Sequence, residues 1–522
     1  MSAKPERQIP EGARKPQVAA ANPERSVFVS ANAGSGKTHV LAQRVINLLL
    51  KGEDPAKILC ITFTKAAAAN MAKRVFDTLS AWSVLDDASL DARISASTGK
   101  PSDVQQRARA RRLFATALET PGGLKVQTIH AFCTRLLHQF PFEADVAASF
   151  EVLDDAATTQ LLNDLTLAVM LDAANAPEGA LGRALAGAIT AAADVTFKEV
   201  IAEAIGERDL ITGWIKRAGG VAAAIDELNR TFGLTAADTL QSLESEYLSG
   251  SAIAETEWPV LIAALAASKN STDRTHADRL VAAQRASGRD RAEFYLDVFC
   301  TGERKGRASV VTKPFAKEHP EWAERLAQEQ TRVCALVAKE FAVRARDRSA
   351  ALLTVAAAVI DRYRAEKDRR GLLDYEDLID KVLALFRDTS AAWVLYKLDL
   401  GINHVLVDEA QDTSPKQWEI IRAIVAEFLP GGARENIKRT LFVVGDEKQS
   451  IFSFQGAAPL AFAENRDHFK ELHEKSEAPF AVEKLDYSFR SATGVLEAVD
   501  TVFRQPQAFQ GLTSDPVWTV HQ

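Results

Sequence analysis

The apolar positions of this chain follow two rhythms, and the alternation between them outlines its architecture. Short uninterrupted runs, Val27-Phe28-Val29, Val405-Leu406-Val407 and Leu441-Phe442-Val443-Val444, read as buried strands. After the first run, Val40-Leu41 through Leu48-Leu49-Leu50 continues with helical spacing. A long stretch rich in Ala, Leu, Glu and Arg follows, and segments such as Ala350 to Ala365 keep helical apolar spacing, which predicts a mainly α-helical region closed by Gly371. Roughly 370 positions separate Lys37 from Asp408, far more than one βα crossover needs, so a domain is expected to be inserted between them. No internal repeat is visible.

Each strand-like run delivers residues suited to phosphate chemistry. The first feeds Ala31-Asn32-Ala33-Gly34-Ser35-Gly36-Lys37-Thr38. Gly34 and Gly36 let the backbone curl so that N–H groups point inward, and the following helix offers its positive end to phosphates. Lys37 would neutralise the β- and γ-phosphates and the Thr38 hydroxyl would ligate Mg²⁺. Ala31 stands where the general pattern has glycine, and taken alone the segment also reads as a surface turn with a solvated lysine. The second run delivers Asp408 and Glu409, which can divide the work of holding hydrated magnesium and accepting a proton from the attacking water. Alone, this is also an acidic loop that solvates a strand end. The third run leads through Gly445-Asp446 to Gln449, one loop from the nucleotide and placed to report on the γ-phosphate. ATP and Mg²⁺ are therefore the expected ligands.

These residues resemble the UvrD/Rep-like helicases of superfamily 1, most closely the AddA subunits of AddAB-type helicase–nucleases. The likeness is carried by Ser30 to Leu41 and by Val444-Gly445-Asp446-Glu447-Lys448-Gln449-Ser450-Ile451-Phe452-Ser453-Phe454-Gln455-Gly456-Ala457. It implies an α/β fold: a RecA-like P-loop NTPase domain with a parallel sheet, a large, mainly α-helical insertion, and the start of a second RecA-like domain. The expected divisions are a flexible leader over 1–16, the first part of domain 1A over 17–149, a 1B-type insertion over 150–370, the second part of 1A over 371–480, and the start of domain 2A over 481–522.

By the same resemblance Gln17 reads adenine, Ala31 to Thr38 and His39 bind nucleotide, Phe489 stacks on adenine, and Arg490 is an arginine finger. Phe63 and Thr64, Thr128 and His130, and Phe452 and Phe454 fall in motifs that contact single-stranded DNA. An aromatic at a strand end offers a stacking face that any base can use. From its neighbourhood alone Phe63 reads equally as a core residue, and His130 as a core or capping histidine.

The implied activity is that of an ATP-dependent, 3′-to-5′ DNA helicase or translocase subunit in double-strand break repair and recombination. Its partners would be single-stranded DNA or duplex ends and an AddB-like subunit. No segment resembles the family's motif V, motif VI or nuclease domain, so the chain is expected to be an N-terminal half with weak ATP binding and little translocation of its own. A reading from a different class is a non-catalytic fragment that binds ATP or DNA, or docks on a partner. An unrelated phosphate-loop kinase or switch is disfavoured by the Gln449 segment and its interleaved aromatics.

Composition adds limits. The 522 residues suffice for more than one domain, and 47% hydrophobic with 25% charged residues is ordinary for a globular protein. A net charge of −7 gives no global sign of nucleic-acid binding. A DNA groove would have to be local, with Arg107, Arg109, Arg111 and Arg112, or Arg362, Arg364, Lys367, Arg369 and Arg370, as candidates; both runs also read as solvated helix faces. Cys60, Cys133, Cys300 and Cys334 lack metal-ligand spacing and point to a reducing compartment. The leader Met1 to Pro23 has no apolar core and no long apolar span occurs, so a cytoplasmic protein without membrane contact is expected.

Overall fold

In the computed structural model, which describes residues 10–191, 194–388, 392–426, 428, 437–450, 459–509 and 520–521, the apolar runs become strands of one sheet. The strands are β1 (Ser26–Ala31), β2 (Ile58–Thr62), β3 (Lys125–Thr128), β4 (Glu151–Val152), β5 (Leu372–Leu373), β6 (His404–Val407), β7 (Thr440–Gly445) and β8 (Phe480–Leu485). Six of them form a sheet in the order β3-β2-β6-β7-β1-β8, with every neighbouring pair parallel. β4 and β5 pair separately, also in parallel. The expected α/β fold with a parallel sheet is thus present.

The runs are unbroken because the sheet is covered on both faces. Phe28, Leu59, Ile61, Val405, Val407, Leu441 and Val443 enter one core, with the helices Ile129–Gln139, Tyr375–Arg387 and Pro415–Ala426. Their neighbours Val27, Val29, Ile58, Cys60, Leu406, Phe442 and Val444 enter the other, with the helices Lys37–Lys51, Lys65–Val84 and Val104–Glu119. Successive strand residues point to opposite faces, so one continuous run supplies both cores.

The chain divides into two units, one made of Met1–Asp154 with Gly371–Gln522 and the other of Asp155–Arg370. The second unit is helical. Its spine is Pro320–Arg370, a helix of 51 residues and so about 76 Å long, which ends where Gly371 adopts φ 66°. The early part of the spine gives Leu326, Val333 and Leu336 to a core with Tyr247, Trp258 and Tyr295. Its later part gives Val355 and Val359 to a core with Val169, Phe197 and Ile201. Among the described residues no helix is long and apolar enough to cross a membrane.

Two expected divisions differ from what is observed. A helix, Glu11–Ala20, begins inside the stretch read as flexible leader; it tolerates Pro16 in its interior and buries Ala13, Gln17 and Ala20. At the other end β8 pairs with β1 in the first sheet, so residues 481–485 belong to that sheet rather than to a new domain.

Arg44 fastens the N-terminal helix to the sheet. It is fully buried on the helix Lys37–Lys51. Its guanidinium donates to the carbonyl oxygens of Ala20, Asn22 and Arg25 and, at 2.9 Å, to Thr440 Oγ1 on β7, while lying 5.7 Å from the centre of the Phe442 ring. Burial pushes its pKa down to about 9. The planar fork is thus spent mainly on backbone acceptors, which its fixed donor geometry suits. Arg44→Met keeps bulk but strips those donors, and the abandoned carbonyls should cost about 2–3 kcal/mol. Denaturant unfolding should show the loss; a change below about 0.5 kcal/mol would contradict this role.

Candidate active site

A parallel sheet sends the carboxyl ends of all its strands to one edge, where α/β proteins bind ligands. Here that edge gathers the segment after β1, the acidic pair after β6 and the turn after β7, because β6, β7 and β1 are adjacent.

The loop after β1 is shaped by Gly34 at φ 76° and Gly36 at φ 89°. A side chain on Gly34 would come within 2.6 Å of Arg490 Cβ and 2.8 Å of Ser488 Oγ, so position 34 needs glycine for space as well as for conformation. The helix Lys37–Lys51 starts on Gly36 with no side-chain cap, whereas Thr64 and Thr128 cap the helices that follow β2 and β3. Its first amides are therefore not claimed by a capping side chain. Two buried donors, Asn32 Nδ2 and Ser35 Oγ, also have no partner among the described residues. Curled backbone, uncapped helix start and unmatched buried donors together fit a polyphosphate.

Lys37 Nζ lies 2.8 Å from Glu409 Oε2, so the loop lysine and the acidic pair meet directly. Glu409 holds a left-handed φ of 47°, an uncommon conformation for a non-glycine residue and one found at functional turns. Burial opposes its charge, yet the Lys37 ammonium and the Gln411 amide hold its carboxyl below the usual range. Asp408 is 4% exposed; burial, followed by repulsion from Glu409, pushes it up to about 6. Burial and the charge of Glu409 push Asp412 up to about 6 as well. A buried carboxylate whose charge is opposed by its surroundings is suited to receiving a divalent cation, and Thr38 and Asp408 are the residues that would hold Mg²⁺.

The other expected residues sort by place. Gln17 is buried and donates from Nε2 to the Ser35 carbonyl at 3.1 Å, so it braces the phosphate loop. His39 is partly buried, and burial followed by the charge of Arg74 lowers its pKa. Ser488 Oγ donates to the Ala33 carbonyl at 2.9 Å and Phe489 N to the Gly34 carbonyl at 2.9 Å, which lays the segment after β8 across the loop and brings Arg490 to it. Phe489 is 47% exposed and lines a cleft of about 950 Å³ with Tyr487, Thr493, Leu496 and Arg504, within the usual range for ligand pockets. Gln449 donates from its side chain to Asp446, inside its own turn.

Phe63, Thr64, Thr128 and His130 sit at the carboxyl ends of β2 and β3, on the same edge but beyond β6. Phe63 is half-buried; Thr64 and Thr128 serve as N-caps; His130 packs 5.0 Å from the Tyr375 ring. Phe452 and Phe454 lie outside the described residues. Most members of the two basic runs have partners within the protein. Arg109 donates to the Leu50 carbonyl, Arg111 pairs with Asp87, Arg362 with Asp172, Arg369 and Arg370 with Glu366, and Lys367 lies over the Tyr363 ring.

The sequence alone assigns no role to Gln411, Asp412 or Gly445. Gln411 Nε2 donates to Glu409 Oε2 at 2.9 Å, and its Oε1 accepts from Asp446 N at 2.9 Å. Their place within the two acidic segments is the one signal that could have pointed to them.

The family model of the UvrD/REP helicase N-terminal domain matches residues 13–470. The A-subunit of the ATP-dependent helicase/nuclease of Latilactobacillus sakei is 28% identical over 527 residues, covering 94% of this chain and 54% of the relative. The proteins of the same name from Moorella thermoacetica and Desulforudis audaxviator are 26% and 29% identical, covering 94% and 92% of this chain but 34% and 39% of themselves. The chain thus spans about half or less of the length of these relatives.

A folded-state pKa near 6 for Asp408 means that the folded protein binds its proton more tightly than the unfolded chain. Stability then falls as pH rises from about 4 through 6, by up to about 3 kcal/mol. Asp408→Asn should therefore raise the melting temperature of the ligand-free chain at about pH 7.5, with the advantage shrinking towards pH ~4.5. It should also abolish Mg²⁺-dependent stabilisation by nucleotide. A variant less stable than the wild type at the higher pH would refute the electrostatic reading.

Proposed function

The chain belongs to the UvrD/REP helicase family, and on that premise we propose that it forms an ATP-hydrolysing motor of a DNA helicase or translocase. We assign it to double-strand break repair and recombination, with movement 3′ to 5′ on single-stranded DNA loaded from duplex ends and with an AddB-like protein as partner. The polarity, the pathway and the partner rest on motif resemblance and on the names of the relatives. The observation that carries the ATPase reading is the 2.8 Å contact of Lys37 with Glu409, which brings a phosphate-binding loop and an acidic pair into one site.

The pairing of Lys37 with Glu409 also suggests how turnover is gated. Lys37 and Glu409 neutralise each other, so neither is free for catalysis. When a nucleotide enters, Lys37 leaves Glu409 for the β- and γ-phosphates, the carboxylate loses its strongest counter-charge, and it becomes a better proton acceptor for the attacking water. Thr38 and Asp408 would hold magnesium, which when bound would supply charge neutralisation on the phosphates. Asn32, Ser35 and the first amides of the helix Lys37–Lys51 supply hydrogen bonds, while Arg490 would meet charge as the γ-phosphoryl departs. Phe489 offers an exposed ring to the base, with Gln17 behind the loop. DNA would lie across the ends of β2 and β3, where Phe63, Thr64, Thr128 and His130 are grouped.

ATP hydrolysis by the purified chain should rise when single-stranded DNA is added, and Lys37→Ala should lower the stimulated kcat at least about 100-fold. Turnover that survives Lys37→Ala would remove the site from this reaction. Turnover indifferent to DNA would leave an ATPase and remove the helicase reading.

A further inference from the structure

Gln411 joins two turns that the mechanism above treats separately. It is 2% exposed and lies in the turn Ala410–Asp412, directly after Glu409. Its Nε2 donates to Glu409 Oε2 at 2.9 Å and to Asp412 Oδ2 at 3.1 Å, while its Oε1 accepts from Asp446 N at 2.9 Å. Its backbone carbonyl accepts from Ser450 Oγ at 3.3 Å. The approach is close enough to dictate the neighbouring residue: a Cβ on Gly445 would sit 2.7 Å from Gln411 Oε1 and 2.5 Å from the Phe462 ring.

The partner turn is itself a unit. Gln449 N donates to the Asp446 carbonyl at 2.9 Å, Lys448 N to Asp446 Oδ1 at 3.2 Å, and the Gln449 amide to the Asp446 carboxylate. In sequence it runs on from Ser450 towards Phe452 and Phe454. A displacement of Asp446 to Ser450 therefore pulls on Gln411 through both its side-chain oxygen and its backbone oxygen. On the other side, Glu409 Oε2 receives Lys37 and Gln411 together. Once Lys37 has gone to phosphate, the Gln411 amide is what remains on that oxygen, fixing the carboxylate's rotation.

We propose that Gln411 is a positioning residue that couples the Asp446–Ser450 turn to Glu409, so that DNA binding raises the rate of hydrolysis by aiming the carboxylate. This rests on the reading of Glu409 as the base of a DNA-stimulated ATPase. Two physical features favour it. An amide can donate at one end and accept at the other, so no purely donor or acceptor side chain would make both bonds. Gln411 itself is buried, and so is its bond to Asp446 N, where a hydrogen bond that is lost has no water to replace it.

The test compares kcat and the KM for ATP in the full chain, with and without a single-stranded oligothymidine, for the wild type and Gln411→Met. Methionine keeps the bulk and removes all three side-chain hydrogen bonds, those to Glu409, Asp412 and Asp446. The stimulated kcat should fall at least about 10-fold, the ratio of stimulated to basal turnover should approach 1, and KM should stay within about 2-fold. If Gln411→Met does not fold, Gln411→Asn retains an amide too short to span both partners, and the same collapse is expected. A stimulation ratio as large as that of the wild type in a folded variant overturns the coupling alone. Absence of DNA-stimulated turnover in the wild type overturns the coupling together with the function it rests on, and Lys37→Ala tells residual contaminating activity apart.

Discussion

Everything in the site depends on the parallel alignment of β6, β7 and β1. Because these three strands are neighbours and run the same way, their carboxyl ends bring Asp408 and Glu409, the Gly445-Asp446 turn and the phosphate loop to one edge, although about 370 residues separate the phosphate loop from the acidic pair. The helical unit between Asp155 and Arg370 is spliced in without disturbing that alignment, since β4 and β5, which flank it in sequence, pair with each other.

Electrostatics then sets the character of the site. Buried acids crowd Lys37, and the charge is apportioned unevenly: Glu409 is held ionised by Lys37 while Asp408 and Asp412 are pushed up to about 6. On the proposed reading, a cation near Asp408 and phosphate near Lys37 would relieve this crowding of charge. The unmatched donors of Asn32 and Ser35 and the left-handed backbone of Glu409 follow the same logic, in which local stability is given up for function.

Much of this was legible because burial on both faces produces unmistakable runs such as Leu441 to Val444, and because glycine, lysine and paired acids follow them at fixed distances. What escaped had physical causes. The helix Glu11–Ala20 is polar and contains Pro16, so local propensity argued against it; Arg44, which secures its far end, looks in sequence like any helical arginine. β8, Phe480–Leu485, is an edge strand with a half-exposed pattern, so it lacked the continuous apolar signature of its neighbours. The ion pairs of the arginine runs were not legible either, because sequence shows charge without showing which carboxylates, here Asp87, Asp172 and Glu366, lie beside it. Gln411 was silent because its importance arises only from the adjacency of β6 and β7.

If the site works as proposed, Lys37 alternates between Glu409 and the nucleotide. The most direct measurement is a crystal structure of the chain with magnesium and a non-hydrolysable ATP analogue. Lys37 Nζ should then leave its position 2.8 Å from Glu409 Oε2 for the β- and γ-phosphate oxygens, with Gln411 still bonded to the carboxylate. A bound analogue with the Lys37–Glu409 pair intact would contradict it.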